Sequence, residues 1–178
     1  MRHLLRERRA AHAADPLHAA ACAAIAARVI ARLDCATAIV GYRSMPGEVD
    51  PAAILDAAHA RGCTIALPHI TARDRPMRFL RWRPGDALVR GPFGIQQPAA
   101  DAEPIEPDLI LAPLLGFDAS GGRIGMGAGF YDRAFAAYPQ ARRIGLARAD
   151  QQVPLIPRDP WDIALHAIAT EEDWILPS

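Results

Sequence analysis

Residues 116–133 read GFDASGGRIGMGAGFYDR and hold the densest chemical information in the chain. Gly121 and Gly122 permit a tight turn with positive φ. Gly125, Gly127 and Gly129 alternate, so the backbone there can approach a ligand with no β-carbon in the way. A helix is expected to start directly afterwards, and its unpaired N–H groups and dipole favour an anion such as phosphate. Arg123 adds a planar cation suited to bidentate phosphate contacts. The competing reading is a flexible glycine-rich loop.

The segment fits neither standard nucleotide loop. All 20 basic residues are arginine, so a Gly-Lys-Ser/Thr phosphate loop and any Schiff-base lysine are excluded. The dinucleotide fingerprint GxGxxG sits tight against a strand, whereas this segment reads GxGxG and lies well past one. Asp132 falls in the first helical turn, where a carboxylate either stabilises the dipole or ligates a hard cation. Asp162, after Pro157-Arg158-Asp159-Pro160-Trp161, is a second carboxylate with the same two readings. Arg2 and Arg6 share one helix face, as a solvated stripe or as anion ligands. Glu48 follows the first strand at the end where α/β folds place ligands, and could equally cap the next helix. Phe93, in GPFGI, is expected to be partly buried, with ring stacking as the alternative.

Other chemistries lack their residues. Ser44, Ser120 and Ser178 are the only serines and none lies in GxSxG. The six histidines show no ligand spacing, and Cys22, Cys35 and Cys63 form no CxxC pair, so they read as reduced thiols and small core residues. Twenty acidic residues balance the arginines, which argues against a whole-molecule field for nucleic acid. No apolar run reaches the ~18 residues of a bilayer span, and no secretory signal is apparent. A cytoplasmic protein without membrane or nucleic-acid partners is the expectation.

These residues need a scaffold. The 178 residues suit one domain, 1–178, and 51% hydrophobic with 22% charged residues is globular composition. Helices are expected over 2–14, over 16–33 with Asp15 as cap and Pro16 at the first position, over 51–61 ending at Gly62, and near 129–138. Strands are expected at Thr37–Tyr42, Cys63–Pro68, Met77–Trp82, Asp108–Ala112, Arg143–Ala147 and His166–Thr170, and an irregular connection over 96–107. Alternation of short apolar strands with helices predicts an α/β fold: a three-layer α/β/α sandwich with a mixed, partly parallel central sheet.

The residues from Pro113 to Arg133, PLLGFDASGGRIGMGAGFYDR, resemble the P-x-x-x-F-D-x-x-G-x-R-[LV]-G-x-G-x-G-[YF]-Y-D-R segment of the 5-formyltetrahydrofolate cyclo-ligase (methenyltetrahydrofolate synthetase) family. MRHLLR, GEVD, FGIQQP and PLIPRDPWDIALHAIATEE match further family segments in the same order. The resemblance implies ATP- and Mg2+-dependent conversion of 5-formyltetrahydrofolate to 5,10-methenyltetrahydrofolate, with ADP and phosphate released. The formyl oxygen would take the γ-phosphoryl group as an imidate phosphate.

The same resemblance implies site roles. Arg2, Arg6, Arg123, Ile124, Gly125, Met126, Gly127, Ala128, Gly129, Phe130 and Tyr131 would contact ATP, with Arg123 and Arg6 closest to the chemistry. Arg6, Glu48, Phe93 and the stretch Met126–Phe130 would contact the reduced folate, and Asp132 and Asp162 would hold magnesium. A monomer is expected, with reduced folate and ATP as partners and no nucleic acid or membrane. Arg2 stands where relatives carry lysine, Phe130 where tyrosine is frequent, and Trp161 where many have histidine; Met126 and Ala128 also depart from common choices. A folate- or nucleotide-binding paralogue without turnover, and a sugar-phosphate isomerase or acyl-CoA transferase on a similar scaffold, are the alternatives.

Overall fold

A computed structural model describes residues 1–33 and 38–177. Its central sheet has seven strands, in the order Trp174–Ile175, Ala167–Ala169, Arg142–Leu146, Leu109–Pro113, Ala38–Val40, Thr64–His69 and Arg78–Arg81. The inner strands β1 (Ala38–Val40), β2 (Thr64–His69), β6 (Leu109–Pro113), β9 (Arg142–Leu146) and β10 (Ala167–Ala169) run parallel. The edge strands β3 (Arg78–Arg81) and β11 (Trp174–Ile175) are antiparallel to their neighbours. The inner strands read as short apolar runs because both faces of the sheet are covered.

The pleat divides each strand between two cores. Ile39, Leu109 and Leu111 pack with Ile25 and Val29 of α2 (His18–Ile30) and Ile54 and Leu55 of α3 (Ala52–Ala60). Val40, Ile110 and Ala112 face the other way, onto Ala134 and Phe135 of α4 (Phe130–Ala137). The result is the expected three-layer sandwich. Helix α1 (Arg2–His12) carries one buried apolar side chain, Leu5, which joins Leu115, Ile124 and Ile156 in a third cluster. A β-carbon on Gly116 would lie 2.7 Å from Leu5 Cδ1, so α1 is seated directly on the start of the glycine-rich segment.

Several local expectations shift. Asp15 does not cap a helix at Pro16: its Oδ1 accepts the Leu17 N–H and its carbonyl accepts the His18 N–H, which forms a turn first, and α2 begins at His18 and ends at Ile30. Gln96–Gln97 form strand β5 with β4 (Val89–Arg90), and Leu80 bridges to Pro104, so part of 96–107 is regular. The glycine-rich segment contains its own ribbon, β7 (Gly116–Phe117) with β8 (Arg123–Ile124). Cys22 and Cys63 are half-buried against the first core; Cys35 and the Thr37 end of the first expected strand lie outside the described residues. Among the described residues no helix is long and apolar enough to cross a membrane.

Candidate functional site

The chain reverses its winding direction between β1 and β6: β2 lies to one side of this pair, β9 and β10 to the other. Loops leaving the carboxyl ends of β1 and β6 therefore diverge and open a crevice. A cavity of about 570 Å³ occupies this place. Tyr42, Arg43, Met45 and Glu48 line it from the β1 side, and Pro113, Leu114 and the run Arg123–Asp132 from the β6 side. Its size suits a small-molecule ligand.

Arginines hold the glycine-rich loop by its backbone carbonyls. Arg2 Nε donates to the Gly125 carbonyl at 3.2 Å and Arg6 to the Met126 carbonyl at 3.1 Å. Arg73 donates to the Gly127 carbonyl at 3.4 Å and Arg133 to the Ala128 carbonyl at 3.0 Å. Four consecutive carbonyls are thus engaged by guanidinium groups. Gly127 (φ 93°) and Gly129 (φ 66°) adopt left-handed backbone that a side chain would strain. A β-carbon on Gly125 would meet open space, so the chain there presents bare backbone. Gly129 caps α4 without a side-chain hydrogen bond, so the first amides of that helix lack helical partners beside the cavity.

The other end of the cavity is built around Glu48. Its Oε1 accepts from Arg9 at 2.9 Å and its Oε2 from the Met45 N–H at 2.9 Å. Glu48 does not cap α3; the Ala52 N–H donates to Asp50 instead. Burial raises the Glu48 carboxyl above its ordinary range, against the Met45 hydrogen bond and the Arg9 charge. Each oxygen keeps a second lone pair for a ligand N–H. Phe93 is 59% exposed rather than partly buried, at φ 62°, with its ring edge-on to Phe130 at 6.3 Å between centroids. Both rings line the cavity.

Arg123 forms an ion pair with Asp132, donates to the Ile163 carbonyl at 2.6 Å, and stacks on Phe135 at 4.5 Å. Asp162 accepts from the Asp159 N–H at 2.8 Å through one oxygen. Asp132 and Asp162 line the same cavity, but no cluster of three or more His, Cys, Asp or Glu forms a metal site among the described residues. Two hard oxygen donors suit Mg2+ that arrives with phosphates and keeps its waters, not a tightly caged resident ion. Of the residues expected to contact ATP, folate or magnesium, Arg6 alone does not line the cavity; its guanidinium lies at the loop's Met126 carbonyl.

Asp118 was not singled out, yet it ties the segment together. Its carboxylate accepts from Ser120 N–H and Oγ, Gly122 N–H, Ile156 N–H and Arg158. Burial alone would raise this carboxyl; the hydrogen bonds from Ser120, Ile156 and Gly122 and the Arg158 charge outweigh it and hold it below the ordinary range. Asp-Ala-Ser-Gly-Gly is an Asx-turn signature, which is the sequence signal for this role. Arg9, Arg73 and Arg133 were also missed, because their partners lie far along the chain or in a loop of unknown path.

Fold and site together define a doubly wound α/β protein whose switch-point crevice carries an arginine-clasped glycine loop and is lined by the carboxylates of Glu48, Asp132 and Asp162. The profile of the 5-formyltetrahydrofolate cyclo-ligase family matches residues 1–171, and the chain belongs to that family of ligases. It is 36% identical over 159 residues to the 5-formyltetrahydrofolate cyclo-ligase of Mycolicibacterium smegmatis, covering 84% of this chain and 78% of that one. Against the Haemophilus influenzae 5-formyltetrahydrofolate cyclo-ligase it is 32% identical over 134 residues, covering 71% and 72%. The 5,10-methenyltetrahydrofolate synthetase structures from Mycoplasma pneumoniae (21% identity, TM-score 0.75, 96% and 98% covered) and Aquifex aeolicus (24%, 0.76, 98% and 92%) share its fold.

Proposed function

We propose that this protein converts 5-formyltetrahydrofolate to 5,10-methenyltetrahydrofolate at the expense of ATP. The observation that carries this reading is one cavity lined by the arginine-held glycine loop, by Arg123 with Asp132, and by Glu48. Phosphoryl transfer needs positioning and charge neutralisation more than a protein nucleophile, and this cavity supplies those.

In this reading the loop from Arg123 to Tyr131, with Arg2, receives the triphosphate, and Arg6 keeps the loop in place for both ligands. Glu48 accepts the paired N–H donors of the pterin ring, and Phe93 and Phe130 offer apolar ring contacts to the folate. Asp132 and Asp162 hold Mg2+, which when bound neutralises phosphate charge. The formyl oxygen attacks the γ-phosphorus as the bond to the ADP oxygen breaks. Arg123 offsets the charge on the transferring group. The N10 lone pair then attacks the imidate carbon, its carbon–oxygen bond breaks, phosphate departs, and the N10 proton is lost. No basic side chain is required for the phosphoryl step.

Incubation with 5-formyltetrahydrofolate and Mg-ATP tests the reading. The methenyl chromophore and ADP are expected to rise together in equal amounts. ADP-free binding of both ligands would instead identify a non-catalytic relative.

A further inference from the structure

Arg2, Arg6 and Arg9 are spaced four and three residues apart, which sets them in one stripe along α1. Arg2 and Arg6 meet the glycine-rich loop; Arg9 reaches past it. Its NH1 lies 2.9 Å from Glu48 Oε1 and 3.4 Å from Met126 Sδ, and both residues of the ion pair line the cavity while being largely buried. The loop carrying Glu48 is seated on the same helix, since a β-carbon on Gly47 would lie 1.9 Å from the Arg9 carbonyl oxygen. From the other side, His18 Nε2 is hydrogen-bonded to the Glu48 carbonyl at 3.1 Å and Cys22 Sγ accepts the Asp50 N–H at 3.5 Å. The loop backbone is therefore held by contacts that do not involve the Arg9 guanidinium, which meets the Glu48 carboxylate and the Met126 sulfur.

We propose that Arg9 is a positioning residue for the folate: it aims Glu48 into the cavity as an oriented carboxylate and ties that orientation to the Met126 segment of the glycine-rich loop. The proposal rests on the reading of Glu48 as the pterin acceptor. A pterin that presents two N–H groups needs an ionised acceptor, because a protonated carboxyl offers a donor where an acceptor is required. Burial favours the neutral form of Glu48, and Arg9 opposes it with the nearest positive charge. Of the other titratable groups, Tyr131 of α4 and Tyr42 after β1 interact with the Glu48 charge, the His18 ring of α2 meets the Glu48 backbone carbonyl, and Asp50 and Cys22 act on Tyr42. Burial holds both tyrosines in their neutral form, so neither places a second negative charge beside the carboxylate. Without Arg9 the acid limb of folate affinity must move to higher pH.

Folate affinity of the full chain, measured by calorimetry with 5-formyltetrahydrofolate and no nucleotide between pH 5 and 9, tests this. Arg9→Gln is expected to weaken binding about tenfold or more at neutral pH, the usual scale for one charge-assisted contact, and to displace the acid limb upward. Affinity for Mg-ATP is expected to fall less than folate affinity, and Arg9→Lys is expected to restore part of the folate affinity. Circular dichroism confirms that each variant is folded. An Arg9→Gln protein with wild-type folate affinity and an unmoved acid limb overturns the proposal. Glu48→Gln separates this failure from failure of the underlying reading: if that variant binds folate normally, Glu48 is not the acceptor and both fall. If Glu48→Gln loses binding while Arg9→Gln does not, only the role of Arg9 falls.

Discussion

Arg123 and Asp132 stand at the two ends of the glycine-rich loop and close it with an ion pair nine residues apart in sequence. The pair joins the guanidinium proposed for phosphate to the carboxylate proposed for magnesium. In these proposed roles ligand entry would redistribute the pair, with phosphate drawing Arg123 and the metal drawing Asp132.

Asp132→Asn tests the metal half. The variant keeps the hydrogen-bonding shape of the side chain but loses its charge, so the fold is expected to persist. Turnover is expected to require higher Mg2+ concentration, read as a rightward shift of the magnesium titration. An unchanged titration would remove Asp132 from the metal site.

Arg123→Ala tests the phosphate half. Loss of one charge-assisted contact is expected to cost about 1.5–3 kcal/mol of ATP binding or transition-state stabilisation. The same change removes the Ile163 hydrogen bond and the stacking on Phe135, so the melting temperature is expected to fall as well. A lowered melting temperature with an unchanged ATP response would leave Arg123 a structural role only.

Asp118→Asn is expected to loosen the site without touching a ligand, because five donors converge on that carboxylate. Each poorly satisfied buried donor costs on the order of 1–3 kcal/mol, so a marked loss of stability is expected. The pH dependence has a definite sign. The folded-state carboxyl is depressed, so its stabilisation is complete above the unfolded value near 3.9 and fades as pH falls through the lower folded value. Acid unfolding curves of the Asn variant are expected to lose that component.

Gly47→Ala and Gly62→Ala form a matched pair. Both positions have positive φ, 77° and 85°, so each substitution carries about 1–2 kcal/mol of left-handed strain. At Gly62 the new methyl meets open space, whereas at Gly47 it collides with the Arg9 carbonyl. Only Gly47→Ala is expected to displace Glu48 and weaken folate binding; equal folate affinities for the two variants would show that the seating of this loop is unimportant.

Apolar runs such as Ala38–Val40 and Leu109–Pro113 announced the inner strands, since burial on both faces leaves no polar alternation to obscure them. The two-residue strands β4, β5, β7, β8 and β11 were invisible, being too short to show a period. The site divided along the same line. Glycines, Arg123 and Asp132 lie within one contiguous segment and could be read locally. The Arg9–Glu48 pair spans 39 residues and the Asp118–Ile156 contact 38, so only the fold brings them together. Phe93, expected to be partly buried, is exposed: it and Gly94 both take positive φ in one tight turn, a backbone path that the apolar side chain alone does not announce.

In the proposed function, the loop between the β7–β8 ribbon and α4 grips a triphosphate beside a divalent ion. A crystal structure with Mg2+ and a non-hydrolysable ATP analogue tests it directly. The phosphates are expected against residues 123–131, with Arg2 and Arg123 on their oxygens and the metal at Asp132 and Asp162. Nucleotide bound elsewhere, or this crevice filled by its own side chains at saturating analogue, would contradict it.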